Sequence, residues 1–352
     1  MTAPGTRGEE TPRAAFDRRL VPRGWRAAAG VAAALLVAAG VAALIGKAAG
    51  FGEVGDAVAG AEASWFAVCL AAEVVSFAAY ALVVRAAIGW SGGPDAGFGL
   101  SGHVTLASLG ATRIVAAAGA GGLAVTYWCF RRAGFAAREA LVRVLGLNTL
   151  VYLVFGVGAW VAALLASLGV LGEAPLALTI PWLALIPFCL GAARFVTEPG
   201  RLMRLASPGG SLVRRALSYA IAGAAWVRQV LGEPEGRRAL GASALYWAGD
   251  VVCLWAALHS VGEPLPVSEL VLAYATGYAA MILPLPLGGV GGVDAAMTYA
   301  LTAVGVPLAP ALVAVAVYRL FGFWVPTIPA LGALVLLPRA GNRLERAAEA
   351  AA

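Results

Sequence analysis

Apolar windows recur along this chain from Trp25 to Leu337, near 26–45, 63–84, 100–119, 141–169, 175–196, 238–260, 267–286 and 309–337. About 20 such residues are enough to cross the roughly 30 Å of hydrocarbon in a bilayer. At that depth every backbone N–H and C=O must be satisfied inside the protein, so each crossing is read as a helix. Composition agrees. Of 352 residues, 61% are hydrophobic and 12% charged, against about 25% charged in an ordinary soluble domain. No polar block long enough to form a soluble domain separates the windows. The chain therefore reads as an all-α, polytopic membrane protein.

Its formal charge of +6 is nearly all arginine, Lys47 being the single lysine. With so much alanine and glycine, this fits a compositional bias combined with membrane topology, and nucleic acid is excluded as a partner. The four cysteines, Cys69, Cys129, Cys189 and Cys253, stand singly with no C-x-x-C pair, so neither a metal site nor a disulfide framework is expected. No cofactor motif is present. The first apolar run is too long for the core of a signal peptide and is read as a retained span.

Arginines orient the spans, because short cytoplasmic loops are enriched in Lys and Arg. Residues 1–24 (Arg7, Arg13, Arg18, Arg19, Arg23) and 339–352 (Arg339, Arg343, Arg346) are expected as cytoplasmic tails flanking a transmembrane domain over 25–338. The 46–62 connection, with Glu53, Asp56 and Glu62, reads as outside. A full crossing at 100–119 would then strand Arg131, Arg132, Arg138 and Arg143 outside. A re-entrant hairpin turning at "AAAGAGG" (116–122) removes the conflict. It also leaves the arginine-rich 197–237 connection inside, with a candidate interfacial helix at 212–231. The same difficulty at 267–286 calls for a second hairpin, dipping from the other face and turning at "LPLPLGGVGG". The predicted architecture is about six full spans plus two oppositely oriented re-entrant hairpins in an inverted repeat; the alternative is eight plain spans. The location implied is the cell inner (plasma) membrane.

Irregular backbone at membrane depth is tolerated where it lines a wet cavity or is buried in protein. A charge at the centre of a membrane helix costs about 2.5–3.5 kcal/mol on insertion scales, yet Glu73, Arg113, Asp250, Asp294 and Arg319 all fall within or beside apolar windows. Asp294 and Arg319 flank the second hairpin and are expected to pair. Two readings stand: these are structural ion pairs, or an arginine contacts an anionic substrate. Helices beginning near Leu123 and Asp294 would aim N-terminal N–H groups at the cavity, where phosphates bind well. The glycines of the two tips, Gly121 and Gly122, then Gly288, Gly289 and Gly291, would let a head group approach the backbone closely. Asp294 could equally serve as the N-cap of its helix. Arg113 and Arg319 are the candidate head-group ligands, and Glu73 and Asp250 the candidate proton or ion carriers.

The stretch 283–326, "LPLPLGGVGGVDAAMTYALTAVGVPLAPALVAVAVYRLFGFWVP", resembles the C-terminal half of the flippase-like transmembrane family, which forms the membrane part of lysyl-phosphatidylglycerol synthases. The resemblance is carried by Pro284 and Pro286, the Gly288-Gly289-x-Gly291 turn, the acid after it, and the run Tyr318-Arg319-Leu320 to Trp324-x-Pro326. Asp294 stands where glutamate is expected. The first half departs further, since its tip lacks proline and "LVRVLGLNTL" lacks a Glu-Arg pair. With the chain ending at Ala352, the resemblance implies a stand-alone lipid translocator without the aminoacyltransferase domain. It would move an anionic phospholipid or a polyprenyl-phosphate-linked lipid between leaflets, with membrane lipids as its partners.

Enzymatic readings are weaker. "GWSGG" (89–93) fits G-x-S-x-G but lacks the strand-turn-helix setting that gives the motif its mechanics. "GGVGG" opens no strand-flanked nucleotide-binding unit. The chain is accordingly read as a non-enzyme, and the remaining rival is a secondary transporter of a soluble anion or amphiphile, which inverted repeats and charged midplanes serve equally well.

Overall fold

The computed structural model describes residues 51–114, 120–196, 231–282 and 290–351, with single positions at 36, 40, 47, 225 and 227–229. The N-terminal tail, the first apolar window, most of the 197–237 connection and the centres of both tips, including Gly288 and Gly289, lie outside the described residues. Regular structure among the described residues is entirely helical. In chain order it comprises α1 (Phe51–Ala59), α2 (Ser64–Gly89), α3 (Gly97–Ile114), α4 (Ala120–Arg132), α5 (Ala137–Ser167) and α6 (Leu176–Val196). There follow α7 (Pro234–Ser260), α8 (Val267–Ala279), α9 (Gly292–Ala303), α10 (Leu308–Arg319), α11 (Val325–Val335) and α12 (Leu337–Ala351), with a π-helical turn at Leu320–Trp324 joining α10 to α11.

Four helices among the described residues are long and apolar enough to cross a membrane: α2, α5, α7 and the continuous Leu308–Val335 element. The helix α6 is apolar over Leu176–Cys189 and carries Pro181 and Pro187 in its interior. This is a multi-pass membrane protein.

Of windows 100–119 and 267–286, the first contributes α3, described as far as Ile114, and α4, which begins at Ala120, folds back on it: Ser108 Oγ and Thr126 Oγ1 lie 2.9 Å apart. The second contributes α8, which packs against α9 where Gly277 meets Met297. The helices α4 and α8 have 13 residues each, or about 20 Å at 1.5 Å per residue, well short of a bilayer core.

The order span, short pair, span thus occurs twice, as α2, α3/α4, α5 and as α7, α8/α9, α10–α11. Packing is reciprocal. Helix α3 lies on α11, with His103 Nε2 2.9 Å from the Ala333 carbonyl, and α8 lies on α5. Each half's short pair leans on the closing span of the other half.

Two expected boundaries move. The helix α4 begins at Ala120 rather than near Leu123, so Gly121 and Gly122 belong to its first turn and not to the bend. The reason is packing: a Cβ on Gly122 would lie 2.9 Å from the Ser108 carbonyl oxygen, so only glycine lets α3 and α4 meet this closely. Helix α9 likewise begins at Gly292, which places Asp294 at its third position rather than at the N-cap.

The two halves meet where α2 crosses α7. A Cβ on Gly249 would stand 2.7 Å from the Ala72 carbonyl oxygen and 2.9 Å from Ser76 Cβ. Small residues at a crossing let helix backbones approach closely, which is how helices associate without a hydrophobic drive in lipid. Ser76 Oγ donates to the Tyr246 carbonyl at 2.9 Å across the same contact.

Outside the apolar layer, Arg143 has a role that arginine counting did not reveal. Its side chain is 2% exposed and paired with Glu139 at 2.9 Å. It also donates to the Ala87 and Trp90 carbonyls, both at 2.9 Å, closing the C-terminal end of α2. Between α2 and α3, Asp95 accepts from the Gly97 N–H at 2.9 Å and from Arg85 at 3.1 Å, and these contacts hold its carboxyl below the usual aspartate range. Residues 339–351 belong to α12, which buries Leu337, Ala340 and Leu344 against α3 and α4.

If the α2–α7 crossing organises the fold, Gly249→Leu should destabilise the protein by about 1–3 kcal/mol, the usual cost of overpacking. Thermal unfolding of the detergent-solubilised protein measures this, and an unchanged midpoint would refute the close crossing.

Candidate functional site: a charged cavity

Tight packing at the crossing gives way to a cavity of about 880 Å³, within the range of small-molecule sites. Glu73 and Ser76 of α2, Arg113 of α3, Gly122 of α4, Asn148 of α5, Asp250 of α7 and Arg319 of α10 all line it. Four of the five charges singled out from sequence therefore converge on one space, and the fifth, Asp294, reaches it through Arg319. Much of the remaining wall is apolar or aromatic, from residues such as Leu109, Leu123, Phe155 and Met281. The cavity is amphipathic.

Arg319 and Asp294 form the expected pair, with Nε 2.6 Å from Oδ1 and the arginine side chain only 11% exposed. The other carboxylate oxygen of Asp294 accepts the Gly291 N–H at 2.8 Å, fastening the start of α9. Gly291 has φ of 86°, in the left-handed region that favours glycine. Asp294 thus does both jobs proposed for it structurally: it secures a helix start and neutralises an arginine. Arg319 Nη2 is buried without a hydrogen-bond partner among the described residues.

Arg113 is held differently. It donates to the Gly322 carbonyl at 3.3 Å, and its Nε is buried without a partner. No carboxylate lies within ion-pair distance of it among the described residues. Its guanidinium lies over the Phe323 ring at 3.5 Å, and that of Arg319 approaches the same ring at 4.3 Å. Cation–π contacts of this kind are worth about 0.5–2 kcal/mol, so Phe323 helps hold two like charges in one small volume. Both arginines retain an unused N–H donor.

On the opposite side, Asp250 accepts hydrogen bonds from the Tyr274 hydroxyl and from the Tyr318 hydroxyl, the latter at 3.2 Å. Glu73, 3% exposed, keeps Oε1 without a hydrogen-bond partner among the described residues. The two carboxyls are neighbours across Gly322: a Cβ there would meet Glu73 Oε1 at 2.9 Å and Asp250 Oδ1 at 3.5 Å.

Sequence reasoning missed Gly322, Phe323, Tyr274 and Tyr318. The π-helical turn is what brings Gly322 and Phe323 to the arginines. Such turns are rare and occur often at functional sites, and the crowding of "YRLFGFW" around a membrane arginine was the available signal. Of the glycines proposed to cradle a head group, Gly122 lines the cavity but serves helix packing, Gly121 is buried within α4, and Gly291 is a helix-start residue. His103 and His259 do not line the cavity. His103 contacts the Ala333 carbonyl, and His259 stacks on Trp65 and Trp255.

Among the described residues the protein is all-helical, with two reciprocally packed halves around an amphipathic, doubly basic cavity. Residues 31–330 match the family model described as "Lysylphosphatidylglycerol synthase TM region"; the chain belongs to that family. No curated protein matches it significantly.

The Asp294–Arg319 pair makes a clear prediction. Removing one partner of a buried pair leaves an uncompensated charge, at a cost of about 3–5 kcal/mol. Asp294→Asn should therefore unfold at a markedly lower temperature than the wild type, whereas the double variant Asp294→Asn, Arg319→Met should recover part of the loss. Equal loss in both proteins would exclude a coupled pair.

Proposed function

We propose that this protein is a lipid translocase: it moves a phosphate-bearing lipid, an anionic phospholipid or a polyprenyl-phosphate-linked lipid, between the leaflets of the cell inner membrane without breaking a covalent bond. The observation that carries this reading is the pair of largely enclosed arginines on Phe323, each with a buried N–H donor that has no partner among the described residues, facing a cavity otherwise lined largely by apolar and aromatic side chains. Arginine is well suited to phosphate, which it binds through charge-assisted hydrogen bonds. Family membership supports a lipid-related role.

In this reading α3/α4 and α8/α9 are hairpins that enter the membrane from opposite faces and return, with both chain termini cytoplasmic. Their lengths and reciprocal packing fit that arrangement. The lipid tails stay in hydrocarbon and only the head group passes through the cavity. The head group exchanges water for Arg113 and Arg319, which offsets its desolvation. Movement of the hairpins against the closing spans would expose the cavity to one leaflet and then the other, as in other inverted repeats.

Hydrogen bonds to a charged group contribute about 1.5–3 kcal/mol, so Arg113→Ala should slow translocation of fluorescent phosphatidylglycerol in proteoliposomes by about tenfold or more. Among the described residues Arg113 has no carboxylate partner, so this variant should lose less thermal stability than Asp294→Asn. Wild-type rates in a folded Arg113→Ala protein would sink the assignment. Transport of a soluble anion with no lipid movement would favour the secondary-transporter reading.

A further inference from the structure

Resting on the reading of the cavity as a phosphate-lipid site, we infer that Glu73 is a proton-binding site, and that each phosphate head group entering the cavity takes up one proton there. The inference follows from a count of charges and of hydrogen-bond donors. Arg319 is matched by Asp294. Asp250 accepts two tyrosine hydroxyls and, counted as a carboxylate, offsets the second arginine on the same cavity wall, Arg113. Glu73 is the remaining acid. Its Oε1 is buried, without a partner, beside Asp250 and on the cavity wall.

With Glu73 protonated, these five groups sum to zero; with Glu73 ionised, they carry one negative charge. Other groups do not change the count. From α7 and α8 the neighbours are Tyr246, Cys253 and Tyr278, and from α10 Tyr318, none of which bears charge as a neutral side chain. From α3, Arg113 acts on Glu73. On its own helix the nearby thiol is Cys69, which donates to the Cys253 carbonyl at 3.5 Å.

A phosphate drawn to Arg113 and Arg319 enters the space that the Glu73 carboxylate faces. Like charges brought together in a medium of low dielectric repel strongly, so the phosphate and an ionised Glu73 disfavour one another. The proton comes from the aqueous phase that reaches the cavity, forms an O–H bond on Glu73, and leaves when the head group leaves. Linkage is reciprocal: a proton on Glu73 tightens phosphate binding as much as phosphate tightens the proton. Movement of the anionic head group with one proton is electroneutral, and a pH gradient then drives it.

The test is binding of dioctanoyl phosphatidylglycerol to the detergent-solubilised protein, by calorimetry in buffers of different ionisation enthalpy, across a pH series. Expected for the wild type is uptake of about one proton per lipid and, above the titration range of Glu73, up to tenfold weaker binding per pH unit. Glu73→Gln should bind the lipid with no proton uptake and no pH dependence. Proton-free, pH-independent binding by the wild type overturns the inference, as does unchanged pH dependence in Glu73→Gln or binding linked to sodium instead of protons. Inorganic phosphate binding with proton uptake, in a protein that ignores the lipid, would leave the proton site standing and remove the lipid reading. Infrared difference spectra need no ligand and decide the case if neither probe binds. A protonated carboxyl band that the ligand-free wild type gains as pH falls, and that Glu73→Gln lacks, supports the site, and its absence from wild type across the pH series overturns it.

Discussion

The contact of Gly249 with the Ala72 carbonyl is the constraint on which the rest of this structure depends. It brings α2 and α7 so close that Glu73 and Asp250, the next residue along each helix, become neighbours. Two acids within apolar helices would otherwise face lipid separately. The crossing places them on a common cavity, where tyrosine hydroxyls and an arginine share the electrostatic load. One missing methyl group thus sets both the closeness of the two halves and the chemistry between them.

Charge management in the cavity is uneven. Asp294 and Arg319 neutralise each other and also fix the start of α9, so removing either disturbs packing as well as electrostatics. Arg113 is held by a carbonyl and an aromatic face instead, which keeps its charge available. Phe323, lying under both guanidiniums, lets two like charges coexist without a carboxylate between them. The wide turn at Leu320–Trp324 positions that ring and the Gly322 carbonyl together.

Much of this was legible in the sequence because membrane physics is strict. The long windows became α2, α5, α7 and Leu308–Val335 with modest shifts at their ends. The conflict between arginine placement and window count singled out 100–119 and 267–286, where the described residues form the packed helix pairs α3/α4 and α8/α9. The cost of burying charge singled out Glu73, Arg113, Asp250, Asp294 and Arg319, and sequence proximity to the second hairpin suggested the right ion pair. Less legible were features set by tertiary approach. Gly121 and Gly122 look like bend residues until α3 is seen beside them, and Arg143 looks like a topology signal until α2 is seen to end against it. Tyr274 and Tyr318 read as ordinary aromatic residues of apolar helices, because nothing local reveals that their hydroxyls meet at Asp250.

The C-terminal helix α12 gives the first hairpin a handle. Gly341 fits against the Trp128 ring, and Glu345 grips Arg132 at 2.7 Å, so α12 is anchored to α4 at two levels. Force applied along α12 would be delivered to the far half of that hairpin, whose first turn carries Gly122 on the cavity wall. The short helix is thereby tied through α4 to one wall of the chamber, so the position of the two is set together.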